Sequence, residues 1–366
     1  MFERTRVKID ESLQLFMDHA RREYRMDMVP AILYKSIREF VLREGKRIRP
    51  TLLIFSYKGY SQRKTPINPS IYYVSTCIEL LHNFMLIHDD IIDRSDLRRG
   101  KPTMHRLLEK TSRTEDKEKL GQDLAIVAGD IVYAMAIDAF LSIREEPQRK
   151  EKALKYFIQT AVFTAMGEFI DTVFGMQPVA AVKEKDVLLN YSLKTARYTF
   201  DCPLVVGAIL AGAPQQDVPR LAKVGLLIGQ AFQIQDDIIG IYETEKNIGK
   251  SILSDIAEEK KTILVAHAFA TMTPALKKKF LYHFVRPKKT ALDLAAIRKI
   301  FIQSGSLSYS LGEIEERLRQ AKKIFGGLSM RPQYRHLIEE ALLKLFRQSQ
   351  KIAAENKLPF NAEYLR

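Results

Sequence analysis

Tryptophan is absent from this 366-residue chain, and cysteine occurs only twice, at Cys77 and Cys202. Two thiols so far apart, each inside an apolar stretch, exclude a disulfide-stapled fold and a thiolate metal cluster. They fit a reducing compartment and two small core residues. Pro/Gly/Ser-rich linkers and shifts of composition are also missing, so a single domain over residues 1–366 is expected. Alternating Val/Ile/Thr runs bounded by tight-turn pairs are lacking, which excludes a β-rich fold. The longest apolar run, Pro203–Pro214, is shorter than the roughly 20 residues a spanning helix needs. The first eight residues carry charge but no apolar segment or small-residue cleavage site, so no secretory signal is read there. A cytoplasmic protein without a transmembrane segment is expected.

What the chain does have is enough apolar material, 46% of residues, to bury a large core. Apolar residues recur at helical spacing nearly everywhere, as in Leu13, Phe16, Met17 and Ala20, or Leu337, Ala341 and Leu345. About ten to twelve helices are predicted, packed as an all-α bundle. The breaks fall at Gly45–Pro50, Thr65–Pro69, Asp96–Pro102, Gln177–Pro178, Gly212–Pro219, Lys246–Asp255, Arg286–Lys289 and Gly326–Pro332. Gln122–Ile143 and Pro203–Ala213 are apolar on most faces and are expected as central helices.

Lysine and arginine outnumber aspartate and glutamate by 58 to 44, a net charge of +14, which points to a partner bearing phosphates. The cations form no long tail and no aromatic-interleaved stripe, so nucleic acid falls behind a phosphorylated metabolite.

The acids that remain are clustered. Asp89 and Asp93 lie four apart, which on a helix puts their carboxylates on one face with Cβ atoms roughly 5–6 Å apart. Asp90 stands between them, and all three follow a strongly apolar stretch, where they oppose the helix dipole. Alone, such a pattern is as readily a solvated acidic turn. Asp236 and Asp237 repeat it at the end of a second apolar stretch, which suggests two carboxylate clusters facing one cavity. Carboxylates without His or Cys at ligand spacing suit a hard cation shared with phosphates, most often Mg²⁺.

Cations follow each cluster: Arg98 and Arg99 after the first, then Lys250, Lys260 and Lys261 after the second. Arg grips phosphate oxygens in pairs, and Lys supplies a point charge. Gly45-Lys-Arg-Ile-Arg-Pro50 packs three cations into a turn opened by Gly and closed by Pro, a second candidate phosphate site. Gly249-Lys250-Ser251 imitates the end of a nucleotide loop, but Thr244 stands where the first glycine is needed and no strand precedes it. His82, two turns before Asp89, is equally a satisfied core histidine or a phosphate contact. Lys194-Thr195 sits in a helix-like stretch that spacing cannot relate to the aspartates.

Taken in order, Gly45–Pro50, Asp89–Asp93 with Arg98-Arg-Gly100, Lys194-Thr195, Phe232-Gln-Ile-Gln-Asp-Asp237, Gly249-Lys250 and Asp255 resemble the trans-isoprenyl diphosphate synthases of the polyprenyl synthetase family. The match runs from about Lys35 to Ala268; after about Phe280 only the helical pattern agrees. The resemblance implies an isoprenoid synthase fold around a central cavity. It implies an allylic diphosphate that ionises, attack by isopentenyl diphosphate, and loss of a proton to the released pyrophosphate. It implies Asp89, Asp93 and Asp236 as Mg²⁺ ligands, several ions per site, with Asp90 and Asp237 in support. Arg98, Lys194, Thr195, Gln233, Lys250 and Lys260 would hold the allylic diphosphate; Lys46, Arg49, His82 and Arg99 would hold isopentenyl diphosphate. Gly240 stands where many members carry a third aspartate, which predicts weaker ion binding. Phe84, with Met85 beside it, would stop the growing tail and so resembles the geranylgeranyl type, with farnesyl or longer products as alternatives. A homodimer is implied.

Three other readings compete. A class I terpene cyclase would have no use for Gly45–Pro50, and a non-catalytic regulatory subunit would tolerate loss of the first aspartates, which are intact. A basic helical nucleic-acid protein would show salt-sensitive binding without Mg²⁺-dependent turnover.

Overall fold

The computed structural model describes residues 1–61, 70–110, 116–243 and 254–361. Among them the chain forms helices α1 (Phe2–Glu23), α2 (Ile32–Val41), α3 (Ile48–Tyr60), α4 (Ser70–Ile92), α5 (Met104–Glu109), α6 (Lys117–Leu141), α7 (Pro147–Met176), α8 (Glu184–Asn190), α9 (Cys202–Ala211) and α10 (Asp217–Tyr242). They continue with α11 (Ser254–Ala257), α12 (Ile263–Thr271), α13 (Pro274–Phe284), α14 (Ala291–Gln303), α15 (Ser306–Gly326), α16 (Pro332–Leu343) and α17 (Arg347–Glu355). The all-α expectation holds. The helix number exceeds ten to twelve because short pieces such as α5, α8 and α11 stand as separate elements. The described strands are two residues each, Leu97–Arg98 paired antiparallel with Lys101–Pro102.

Contacts group the chain into two units, one of residues 1–159, 203–218 and 329–337, the other of 160–202, 219–328 and 338–366. In the first, α4 packs along α6 and against α1 and α3. Phe16 meets Tyr73 edge to face at 5.6 Å, and Leu13, Leu52, Leu53, Cys77 and Leu80 are fully buried. Backbone touches backbone where α9 crosses α3. A Cβ on Gly207 would lie 2.4 Å from the Leu53 carbonyl oxygen, and Ser56 donates to the Leu204 carbonyl at 2.6 Å. Residues 203–208 are buried as expected of a central helix.

The second expected central helix departs from its expectation. Helix α6 exposes Leu124, Ile126, Val127 and Leu141. Its buried stripe combines small residues, Gly121, Ala125, Ala128, Gly129, Ala136 and Ala139, with Val132, Met135 and Phe140. The glycines let α4 and α5 approach closely, Gly129 against His88 and Gly121 against His105 and Glu109. This helix also qualifies by length and composition as a membrane span, with 44% of its apolar window buried, which a search for unbroken apolar runs overlooks. Asp123, Asp130 and Asp138 lie on its exposed side, and each would cost about 2.5–3.5 kcal/mol at the centre of a bilayer.

In the second unit, α7, the segment after α8, and α10 meet through glycines. Gly167 lies against the Lys194 backbone, Gly225 against Asp201 and Gly229 against Ala196, each so close that a Cβ would sit 2.3–2.4 Å away. The segment Tyr191–Asp201 is a π-helix. Such widened turns are rare and concentrate at functional sites. Helices α13 and α14 form a hairpin cored by Phe280, Phe284 and Phe301. Cys77 and Cys202 are buried free thiols.

Candidate active site

In the first unit the site is built on the last two turns of α4. The Asp93 N–H donates to the Asp89 carbonyl at 2.8 Å, so the helix continues through the cluster and both carboxylates share a half-buried face. Asp90 is fully buried, and its carboxylate meets that of Asp89 at the Arg98 guanidinium. Arg98 donates from Nε to Asp90 Oδ1 at 2.8 Å and from Nη2 to Asp89 Oδ2 at 3.0 Å. Burial pushes the Asp90 carboxyl up to about 6; Arg98 opposes the shift, and the neighbouring charges of Asp89 and Asp93 add to it. Burial works against the charge on Arg98, but Asp90 and Asp89 outweigh it and hold that guanidinium above its ordinary value.

A two-residue hairpin delivers the arginines. Arg99 and Gly100 occupy the turn with φ of 55° and 72°, the left-handed pair a type I′ connection requires. Arg98, on the strand, reaches the aspartates, while Arg99 turns to the other segment and donates to the Glu44 carbonyl at 3.0 Å. Gly45 makes this possible, since a Cβ there would lie 2.8 Å from the Arg99 guanidinium. The sequence assigned Gly45–Pro50 to a turn closed by proline; α3 instead begins at Ile48, so Arg49 and Pro50 lie in its first turn.

The three cations of that motif separate. Lys46 is exposed. Arg47, left-handed at φ 46°, is buried and bound to Asp10, Glu79 and the Arg43 carbonyl. Arg49 places Nη1 3.2 Å from His82 Nε2. His82 is 6% exposed. Burial, with Arg49, Arg99, Arg98 and Arg47 nearby, drives its pKa well below the usual range, so the ring is neutral and accepts from Arg49. Arg99 is likewise pulled down, first by burial and then by Arg47, Arg49 and Arg98, with Glu79 opposing. So many cations around a neutral histidine make a field suited to a polyanion.

One helical turn before Asp89, Phe84 stacks on Tyr133 of α6 with ring centroids 4.8 Å apart and meets His88 edge-on at 4.7 Å. His88 fits only because residue 129 is glycine; a Cβ there would lie 2.3 Å from the imidazole. Phe84 and Met85 are both half-buried.

In the second unit the π-helix carries Lys194 and Thr195. Lys194 Nζ lies 2.7 Å from Asp171 and 3.0 Å from Glu168. Thr195 donates to Gln233 Oε1 at 2.6 Å, and Gln233 Nε2 donates to Asp237 Oδ1 at 3.0 Å. The other Asp237 oxygen accepts from the Tyr191 hydroxyl, whose own oxygen accepts from the Ile263 N–H at 2.9 Å. Asp237 is therefore buried and held from two sides, while its neighbour Asp236 is exposed on α10. Lys260 pairs with Glu258 at 3.0 Å. Lys261 Nζ donates to the Gly175 carbonyl at 3.3 Å, and burial lowers its pKa. Lys250, Gly249 and the Asp255 side chain lie outside the described residues.

Tyr191 and Glu79 were not among the residues singled out by sequence, and no local signal marks either. Tyr191 ties three elements together: the π-helix, α10, and the start of α12 just after Lys260 and Lys261. Its hydroxyl satisfies one of the orphan N–H groups of α12. Tyr191→Phe is expected to lower kcat roughly 10-fold or more, because groups that orient a site act at that scale. A steady-state assay alongside circular dichroism separates this from unfolding.

The polyprenyl synthetase family matches residues 30–301. A geranylgeranyl diphosphate synthase of Sulfolobus acidocaldarius is 33% identical over 294 residues, 79% of this chain and 82% of that one. A geranylfarnesyl diphosphate synthase of Aeropyrum pernix is 30% identical over 315 residues, 85% of this chain and 92% of that one. The crystal structure of a geranylgeranyl pyrophosphate synthetase from Pyrococcus horikoshii, 27% identical, superposes with a TM-score of 0.80 over 94% of this chain and 98% of that one.

Proposed function

We propose, on the premise that this chain belongs to the polyprenyl synthetase family and is a prenyltransferase, that it condenses isopentenyl diphosphate with an allylic diphosphate into a short all-trans product, geranylgeranyl diphosphate. The observation that carries this reading is the branching of the Arg98-Arg99 hairpin, one arginine to the carboxylates and the next to a cluster of cations around His82. A single-diphosphate enzyme such as a terpene cyclase has no use for that second cluster.

Asp89 and Asp93 offer oxygen donors only, which fits Mg²⁺, and Asp236, exposed on α10, is assigned to Mg²⁺ on the same chemistry. Bound there, the metal would neutralise charge on the departing diphosphate. The protein's own part is positional. Arg98 is fixed by Asp90 with a second hydrogen bond to Asp89, which aims its remaining donors. Lys46, Arg49, His82 and Arg99 surround the site for isopentenyl diphosphate. Lys194, Thr195, Gln233, Lys250 and Lys260 are assigned to the allylic diphosphate. The neutral His82 donates or accepts without adding charge, so it orients a diphosphate rather than trapping it. No side-chain base is required, since released pyrophosphate takes the proton.

Phe84, backed by Tyr133, forms the floor that limits the tail, which favours the geranylgeranyl product over the longer geranylfarnesyl chain. We place the enzyme in the cytoplasm as a single-domain homodimer and assign the exposed apolar side of α6 to the second copy. Incubation of the purified chain with isopentenyl diphosphate, Mg²⁺ and each allylic primer in turn is expected to give prenyl diphosphates ending mainly at geranylgeranyl length by chromatography. No turnover with any primer would overturn the reading.

A further inference from the structure

The positive charge of the chain is concentrated in one stretch of sequence. Between Lys260 and Gly312 stand ten lysines and arginines and a single acid, Asp293, so these residues supply nine of the fourteen net charges. That acid is no counterweight at the surface, because Asp293 is 1% exposed and accepts from His283 at 2.8 Å and from Arg286 at 3.2 Å.

The α13–α14 hairpin carries eight of those ten cations and presents Lys278, Lys279, Arg286, Lys288 and Lys299 outward together with apolar side chains, while Lys289 is buried against Glu259 and Arg298 is bound to the Ile241 and Glu243 carbonyls. One face of each helix is spent on the core, through Phe280 and Phe284 on α13 and Leu294, Ile297, Ile300 and Phe301 on α14. The outward stripe of α13 is Ala275, Lys278, Lys279 and Tyr282, continued past its end by Val285 and Arg286; that of α14 is Leu292, Ala295, Lys299 and Ile302. Leu292 is 81% exposed, Tyr282 63% and Val285 47%. Val285 and Leu292 flank the turn that carries Arg286 and Lys288, so the tip combines bulky apolar groups with cations.

We propose that this hairpin docks the enzyme on an anionic lipid bilayer. Lysines along the stripe meet acidic headgroups, while Leu292, Val285 and Tyr282 enter the boundary between headgroups and acyl chains. Charge alone would equally draw nucleic acid. Exposed leucine and valine gain nothing against a phosphodiester backbone but gain free energy by leaving water for lipid. Docking does not depend on the reaction proposed above, and its measurement is separate from turnover.

The test is co-sedimentation of the full-length protein with vesicles of phosphatidylcholine alone or with about a third phosphatidylglycerol. The protein is expected to pellet with the anionic vesicles only and to be released as salt rises. Each lysine at a charged surface is worth roughly fivefold in binding, so Lys278→Glu with Lys279→Glu should weaken it at least about 25-fold. Leu292→Ser should weaken it several-fold while leaving the salt dependence unchanged. All three side chains are exposed, and Lys288→Glu with Lys299→Glu provides a second charge-reversed variant should the first misfold. Equal binding to both vesicle types, unchanged binding of the variants, or displacement of the vesicles by single-stranded RNA at lower concentration overturns the proposal.

Discussion

Asp89→Asn and Asp93→Asn are each expected to lower kcat/KM by about 10²–10³, the scale of losing one preorganised charge at a developing anion. The two carboxylates share one helix face, and the amide keeps the shape while removing the charge that would hold a divalent ion. Asp90→Asn should behave differently. Its carboxylate is fully buried against Arg98, whereas those of Asp89 and Asp93 are half-buried, so the loss falls first on stability, about 1.5–3 kcal/mol for a hydrogen bond to a charged group. Thermal unfolding and Mg²⁺-dependent turnover, measured on all three variants, separate the roles. Near-normal activity in Asp89→Asn would remove the basis for a metal site on α4.

Phe84→Ala is expected to move the main product up by at least one isoprene unit, read by chromatography of the dephosphorylated alcohols. Removing the ring opens the space between α4 and α6 down to Tyr133, which then becomes the floor. Phe84→Ala combined with Tyr133→Ala should lengthen the product again. The cost to the fold is about 2 kcal/mol, below that of a fully enclosed phenylalanine, because Phe84 is only half-buried. An unchanged product from the single variant would move the length control elsewhere.

Much of this was legible in the chain. The helical period survives in nearly every segment because each helix must hide one stripe, and the Asp89/Asp93 spacing declares a shared face without further help. Other features lie beyond local pattern. Helix α6 reads as central because it is apolar on most faces, yet packing buries one side of it, small residues together with Val132, Met135 and Phe140, and leaves Leu124 and Val127 outside. That choice depends on how near α4 must come, a distance written in Gly129 and His88 jointly. Arg47 and Arg49 are chemically equivalent in the sequence. Only Glu79 and Asp10, far away along the chain, claim the first and leave the second to His82. Tyr191 was invisible for the same reason, since its partners lie at positions 237 and 263.

The widened turn at Tyr191–Asp201 constrains the length of the chain there. A π-helix closes i to i+5 bonds, so it holds one residue more per turn than the α-helix it interrupts. Deleting one residue there would let the segment relax into ordinary helix while rotating Tyr191, Lys194 and Thr195 away from Gln233, Asp237 and Ile263. The length of this stretch is therefore as much a part of the site as its side chains, and a one-residue deletion within it is expected to abolish turnover in a steady-state assay.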